Sequence, residues 1–187
     1  MMNKSVKLGI QGRPDVPPRL FDLVPRYIEK YGYKDCLFAG KVNKQWVKYD
    51  GKKFYEITNS ISYGLLKLGV KKGDRIALIA NNAPEWNMID FAIQQVGAIC
   101  IPIYPTISHD DYKYIFNHSE ASIAFFTNKH LYSKVADIIA DIPTIKETYL
   151  IRASEDMKSL QDLIDLGNEN KDVDTLEARK KKKKNED

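Results

Sequence analysis

The sequence contains little cysteine and no long apolar run. Its two cysteines, Cys36 and Cys100, supply neither a disulfide framework nor the ligands of a structural zinc site. Both lie in apolar, strand-like runs, which predicts two buried free thiols in a reducing compartment. The N-terminus lacks the apolar core of a signal peptide, and the longest uncharged apolar stretch, residues 96–104, is too short to cross a bilayer. These absences predict a soluble, cytoplasmic protein with no transmembrane segment.

The body of the chain has no excess of either charge. The formal net charge is +4, and residues 179–187 alone carry six positive and two negative side chains, so residues 1–178 sum to zero. A neutral body offers no electrostatic footprint for nucleic acid. The Arg179–Lys184 run has two interpretations, a nuclear-localisation or nucleic-acid patch and a solvated linker. We favour the linker, because lysine runs without interleaved aromatics lack the stacking platform of single-strand binders.

Familiar catalytic motifs are missing as well. The sequence contains no G-x-G-x-x-G after a strand and no G-x-S-x-G nucleophile elbow. The three histidines, His109, His118 and His130, share no helical face, so we expect solvent-facing or capping side chains and not metal ligands. Asn82 and Glu85 have the spacing of a capping box, which gives Glu85 a structural role. We therefore assign no catalytic, cofactor-binding or metal-binding residue.

One segment, residues 73–106, organises the chain. The apolar, β-branched run Arg75–Ala80 is typical of a strand that is covered on both faces. A helix follows, with Pro84 in its first turn and one apolar stripe, and the run Ile99–Ile103 predicts a second strand. A strand, a crossover helix and a second strand this close together predict parallel pairing with a right-handed connection. The stripe consists of Trp86, Ile89, Ile93 and Val96.

The alternation of helices and strands extends this unit in both directions. We predict an α/β fold with a doubly wound, mostly parallel sheet and flanking helices, plus a short β-hairpin over Cys36–Tyr49 near the N-terminus. Residues 1–17, broken by prolines, are expected to form an N-terminal arm, and residues 18–166 the α/β subdomain. Because residues 167–187 have almost no apolar anchor, we expect a disordered, lysine-rich tail or interrupted linker there.

The most suggestive segment for function is Pro102–Thr106. It lies just past the carboxyl end of a predicted strand, at the edge where ligands bind in open α/β sheets. The simpler interpretation is that its two prolines end the strand and set the turn.

A set of short motifs in fixed order resembles the start of the adenylate-forming acyl-CoA synthetases. The Pro-Glu-Trp helix start and the Pro-Ile-Tyr-x-Thr turn are most similar to those of the long-chain fatty acid–CoA ligases. Each motif is weak alone, but together they span residues 46–126. The matching pieces are Trp46, Gly64–Val70, Lys72–Ala77, Asn82–Trp86, Asp90, Gly97–Ile99, Pro102–Thr106 and His118–Ala121.

This resemblance implies a parent enzyme that activates a fatty acid with Mg-ATP as an acyl-adenylate and then transfers the acyl group to coenzyme A. The family's Ser/Thr/Gly-rich phosphate loop, its magnesium-binding acidic residues and its C-terminal lysine do not occur in these 187 residues. We therefore expect an N-terminal fragment that serves as scaffold, is inactive alone and itself binds no ATP, Mg²⁺ or coenzyme A. Its predicted link to the site is that Tyr104 and Thr106 border the acyl chain.

Two other classes of protein stay open. The first is a stand-alone, flavodoxin-like α/β module that holds a nucleotide or flavin at the strand ends, although a phosphate loop is missing. The second is a non-enzymatic interaction protein that self-associates through an exposed sheet edge.

Overall fold

The computed structural model describes residues 19–42 and 44–182. A short 3₁₀ turn, Leu20–Asp22, precedes the first helix. The strands are β1 (Phe38–Val42), β2 (Gln45–Tyr49), β3 (Arg75–Ile79), β4 (Ile99–Ile103), β5 (Ile123–Phe126) and β6 (Glu147–Leu150). The helices are α1 (Leu23–Tyr31), α2 (Gly51–Lys67), α3 (Pro84–Gln95), α4 (His109–Ser119), α5 (Lys129–Ser133), α6 (Ala136–Asp141), α7 (Leu160–Glu169) and α8 (Val173–Lys182).

Four strands form one parallel sheet in the order β4-β3-β5-β6. The register pairs Ile76 of β3 with Cys100 of β4 on one side and with Ile123 of β5 on the other. Numbered from β3, this is the order 2-1-3-4, with which flavodoxin-like doubly wound sheets begin. The predicted parallel sheet is confirmed.

Helices cover both faces of the sheet. Side chains of a strand alternate between its faces, so Ile76 and Leu78 of β3 pack with α2, α3 and α7, together with α1 and α8. Ala77 and Ile79 of the same strand pack on the other face against α4, α5 and α6. The doubly wound arrangement that the sequence predicts is therefore confirmed.

Helices α2 and α7 approach each other at two glycines. A Cβ atom at Gly167 would collide with the carbonyl oxygen of Ser60, and one at Gly64 would collide with that of Leu163. Leu163, which is fully buried, fills the space beside Gly64. This close contact fixes α7 on the first face of the sheet.

The N-terminal hairpin forms a separate two-stranded antiparallel sheet. Phe38 of β1 stacks on Phe54 of α2 at 4.4 Å between ring centroids, and Gly40 lies against Pro84 at the start of α3. The predicted hairpin is confirmed. The expectation of a buried thiol is wrong for Cys36, which is exposed because β1 begins two residues later, whereas Cys100 is partly buried in β4.

The prediction of a disordered tail is wrong for residues 167–182. Helix α7 extends to Glu169, and α8 packs against α2 through one buried apolar side chain, Leu176, which is 1% exposed. Polar contacts supply the rest: Asp172 accepts a bond from the amide of Thr175 at 2.9 Å, and Arg179 donates to the Val96 carbonyl. A prediction based on the number of apolar residues in this segment does not take such polar contacts into account. The predicted arm at residues 1–17 and the remainder of the tail, residues 183–187, lie outside the described residues.

The two edges of the large sheet differ. At the β6 edge, Leu150 donates its amide to the Lys158 carbonyl at 2.9 Å, so the following segment covers part of that strand. At the β4 edge, the Ile99 amide donates to the carbonyl of Asp74, the residue before β3. Because successive backbone N–H groups of a strand point to opposite sides, the backbone nitrogen of Pro102 points away from β3, toward the free edge. Because proline has no N–H, it removes one donor from the free edge, a feature that opposes strand addition. Self-association through this edge stays a prediction.

Within the ranges 19–42 and 44–182, no helix is both long and apolar enough to cross a membrane.

Candidate functional site

The carboxyl ends of the parallel strands form the edge at which this fold places ligands. The loop after β3 leads to α3 on the first face, whereas the loops after β4 and β5 lead to α4 and α5 on the second face. Because the loop after β3 and the loops after its two neighbours leave toward opposite faces of the sheet, a crevice opens on each side of the end of β3. We call them the open groove, between β3 and β4, and the polar crevice, between β3, β5 and β6.

The open groove has a volume of about 500 Å³. Two hydrogen bonds hold the Pro102–Thr106 turn and the helix that follows it in place. The Tyr112 hydroxyl donates to the Tyr104 carbonyl at 3.1 Å, and the Ser108 hydroxyl caps α4 by accepting from the Asp111 amide at 3.1 Å. The Tyr104 side chain itself is 80% exposed. The groove is lined by Ala80, Asn81, Asn82, Trp86, Pro102, Ile103, Tyr104, Pro105 and Thr106.

The open groove brings together the two residues that the sequence singles out, Tyr104 and Thr106, and both are exposed there. Trp86 is partly buried against the first core, as expected of a packing residue, and it also lines the groove. Asn81 also lines the groove and is not among the residues that the sequence points to, although it directly follows the predicted strand Arg75–Ala80.

An ion pair dominates the polar crevice. Arg152, just after β6, donates to both carboxylate oxygens of Glu85, with Nη1–Oε1 at 2.8 Å and Nη2–Oε2 at 3.3 Å. Glu85 is only 8% exposed, and the Tyr49 hydroxyl of the hairpin also donates to its Oε1 at 3.4 Å. Burial and the neighbouring Glu85 carboxylate raise the pKa of Tyr49. The three side chains join the hairpin, α3 and the end of β6.

The capping-box prediction for Glu85 is therefore wrong. The N-cap of α3 is Ala83, whose side chain makes no capping bond, and Pro84 occupies the first helical turn. Glu85 turns to Arg152, which lies 67 residues further along the chain. A spacing rule considers only near neighbours, so it could not anticipate this partner.

Thr127 ties the strands together at the base of the polar crevice. Its hydroxyl accepts a bond from the Asn81 amide at 2.8 Å, and its carbonyl accepts one from the Arg152 amide at 2.8 Å. The space that remains is about 240 Å³, with Lys41 and Arg152 among its walls. The polar crevice is therefore smaller than the open groove and is crossed by hydrogen bonds.

Other candidate reactive groups lie outside both crevices. The three histidines are exposed, and Nε2 of His109 lies 2.9 Å from Oδ2 of Asp137. Burial and the adjacent Asp90 raise the pKa of the Cys100 thiol, which disfavours its nucleophilic thiolate. No group of three or more His, Cys, Asp or Glu side chains within the described part of the chain is arranged to hold a metal ion.

Comparison with known sequences supports a single family. The model of the AMP-binding enzyme family matches residues 25–187. Long-chain-fatty-acid–CoA ligase FadD15 of Mycobacterium bovis is 35% identical over 91 residues, which are 49% of this chain and 15% of that protein. Long-chain-fatty-acid–CoA ligase ACSBG2 of Rattus norvegicus is 24% identical over 160 residues, covering 82% of this chain and 24% of that protein. The chain thus spans about a quarter or less of the length of these relatives.

Solved structures agree on the fold. A long-chain-fatty-acid-CoA ligase (FadD1) from Archaeoglobus fulgidus matches 79% of this chain and 29% of its own, with a TM-score of 0.68 and 21% identity. The A domain of carboxylic acid reductase from Segniliparus rugosus, solved with AMP and a co-purified carboxylic acid, matches 83% of this chain and 31% of its own, with a TM-score of 0.69 and 14% identity. From the family match across most of its residues, the chain belongs to the AMP-binding enzymes.

Proposed function

We propose that this chain is the N-terminal part of a long-chain fatty acid–CoA ligase. In that reaction a fatty acid carboxylate attacks the α-phosphate of ATP, which gives an acyl-adenylate and releases pyrophosphate. The thiol of coenzyme A then attacks the acyl carbon, and AMP and a proton leave. The support is the family match together with two relatives that are named as such ligases.

Within that enzyme we propose that the open groove borders the acyl chain. The observation that carries this is that an exposed Tyr104 and a half-buried Trp86 line the same groove at the carboxyl edge of the sheet. Pro102, Ile103 and Pro105 add apolar surface, so the groove suits a hydrocarbon chain more than a phosphate. Asn81, Asn82 and Thr106 supply the few polar side chains of its lining.

Among the described residues, no group of three or more His, Cys, Asp or Glu side chains could hold a metal ion such as magnesium. The same residues contain no Gly-rich phosphate loop. ATP, Mg²⁺ and coenzyme A belong in this proposal to the whole enzyme, with this chain acting as the wall and scaffold beside the acyl site. A cytoplasmic location stays a prediction.

The test is steady-state kinetics of the full-length ligase with the substitutions Tyr104→Ala and Thr106→Val. If the groove borders the acyl chain, kcat/KM for long-chain acids falls roughly ten-fold for Tyr104→Ala, the loss expected when one aromatic contact of about 1–2 kcal/mol is removed. The loss should shrink as the acid becomes shorter, and the KM for ATP should not change.

Tyr114→Ala is the matched control, because Tyr114 is a comparably exposed tyrosine on α4 and lies outside the lining of the groove. Equal chain-length profiles for Tyr104→Ala, Tyr114→Ala and the unmodified enzyme would refute the acyl-border proposal. Failure of the unmodified enzyme to form any acyl-adenylate would refute the ligase proposal itself.

A further inference from the structure

Helix α3 begins between two spaces at the surface of the molecule, and Trp86 lies in its first turn. One of these spaces is the open groove. The other, which we call the hairpin hollow, lies between β1 and the start of α3 and has a volume of about 410 Å³. Phe38 and Ala39 line it on the side of β1, and Asn87 lines it on the side of the helix. Because Trp86 and Asn82 belong to the lining of both spaces, they form the boundary between them.

The hairpin hollow has the same chemical character as the open groove. None of the described residues that line either space carries a charge. The polar crevice, in contrast, has Lys41 and Arg152 in its walls. Apart from two asparagines, the lining of the hairpin hollow is apolar. Such walls suit a hydrocarbon chain, whereas a phosphate or a carboxylate needs charged or hydrogen-bonding partners.

The wall that Trp86 forms is fixed by its surroundings. Gly40 of β1 packs so closely on the start of α3 that a Cβ atom at this glycine would lie 2.6 Å from Cδ of Pro84. The Trp86 amide donates to the Ala83 carbonyl at 3.1 Å. The Trp86 side chain is half-buried and packs against the core on the first face of the sheet. We therefore expect the indole ring to act as a rigid partition between the two spaces.

We propose that Trp86 limits the length of the acyl chain that the enzyme accepts, because it closes the open groove toward the hairpin hollow. This inference rests on the proposed function, since it takes the occupant of the open groove to be an acyl chain. A chain whose end reaches the indole ring has no further apolar surface to cover. Removal of the ring joins the two spaces, and each methylene group that a longer chain then buries improves its binding about four-fold.

The test is the dependence of activity on acid length in the full-length ligase with the substitution Trp86→Ala. The quantity compared is a ratio of two kcat/KM values. The numerator is the value for a saturated acid two carbons longer than the acid that the unmodified enzyme prefers, and the denominator is the value for the preferred acid. We expect this ratio to rise at least about four-fold, the gain from one buried methylene group. General damage to the enzyme lowers both values together and leaves the ratio unchanged.

Trp46→Ala is the matched control, because it removes the same side chain at a different place. Trp46 lies in β2, is 64% exposed and belongs to the lining of neither space. Its loss should leave the ratio unchanged. Trp86→Phe, which keeps an aromatic ring in the wall, should raise the ratio less than Trp86→Ala does.

A second substitution tests whether the gain comes from the hairpin hollow. Ala39 is exposed in β1 and lines the hollow, so Ala39→Leu reduces the space there without entering the core. Combined with Trp86→Ala, it should return the ratio toward that of the unmodified enzyme, and alone it should have no effect. Circular dichroism reports whether the variants fold. If Trp86→Ala does not, Trp86→Leu replaces it, because leucine is smaller than tryptophan but keeps an apolar contact with the core.

Three results would overturn the proposal: an unchanged ratio in a folded Trp86→Ala or Trp86→Leu enzyme, an equal rise in Trp46→Ala, or a rise that Ala39→Leu does not reduce. Failure of the proposed function looks different, because the unmodified enzyme then forms no acyl-adenylate or Tyr104→Ala shows no dependence on chain length. A length-dependent loss in Tyr104→Ala together with an unchanged ratio in Trp86→Ala would refute the role of Trp86 alone.

Discussion

The two crevices beside β3 are built from neighbouring strands of one sheet, yet they differ in every physical respect. The polar crevice is narrow, crossed by the Arg152–Glu85 pair and tied by Thr127. The open groove is about twice as large, mostly apolar, and bordered by Tyr104 with its side chain in solvent. The polar crevice joins elements of this chain to each other, whereas the open groove offers an apolar surface to a ligand.

This difference separates stability from function. Side chains that satisfy each other inside the chain contribute to folding, and their loss leaves buried groups unpaired. An exposed aromatic contributes little to folding, and a groove with contiguous apolar surface is where a ligand or partner can bind. Substitutions on the two sides should therefore divide into those that lower the free energy of unfolding and those that change activity.

The largest expected effect comes from Arg152→Leu, which leaves the Glu85 carboxylate buried without its partner. We expect a loss of about 3 kcal/mol in the free energy of unfolding, the lower end of the range for a broken buried pair, because the Arg152 side chain keeps 34% of its surface exposed. Urea denaturation measures it. The control is Lys129→Gln, which breaks an exposed pair with Asp156 and should cost less than about 0.5 kcal/mol. Equal losses in both variants would contradict the buried role of the pair.

The second effect appears at alkaline pH. Burial raises the pKa of Tyr149 in β6 from 10.0 to about 12, with smaller contributions from the Glu147 and Asp162 charges. The folded state therefore favours the protonated phenol. The contribution of this group to the free energy of unfolding is fully present below pH 10 and is lost as the pH rises from about 10 to about 12, by between about 2 and 3 kcal/mol. In Tyr149→Phe that part of the alkaline loss should vanish in pH-dependent denaturation, and an unchanged loss would contradict it.

A smaller effect is expected at the base of the polar crevice. Thr127→Val removes the hydroxyl that accepts the bond from the Asn81 amide, and the expected cost is about 1 kcal/mol, the worth of one hydrogen bond. Thr106→Val in the open groove is the matched control and should change the free energy of unfolding by less than about 0.5 kcal/mol. Thermal denaturation of both variants compares the two sides directly.

The smallest effect on stability is expected for Tyr104→Ala, within about 0.5 kcal/mol of the unmodified protein, because the side chain is 80% exposed. The same substitution should lower kcat/KM for long-chain acids in the full-length enzyme. A destabilisation as large as that of Arg152→Leu would show that Tyr104 has a folding role and would end the distinction between the two crevices.

The sequence predicts the fold well where one element determines its neighbour. The run of residues 75–103 fixes a strand, a helix and a parallel strand, and the apolar stripe of α3 follows from its period. The Tyr104 turn is predictable for the same reason, since it follows directly on a strand. Contacts between distant residues are not predictable in this way. The partner of Glu85 comes from beyond β6, and α8 depends on Leu176 meeting α2.

The most direct test of the central distinction is photo-crosslinking of the full-length enzyme with a long-chain fatty acid that carries a diazirine on its chain. We expect the label in the peptide containing Pro102–Thr106 or in that containing Trp86, with an excess of unlabelled fatty acid reducing it. Labelling confined to the Thr127 and Arg152 peptides, or absent from this chain while adenylation proceeds, would contradict the assignment of the open groove to the acyl chain.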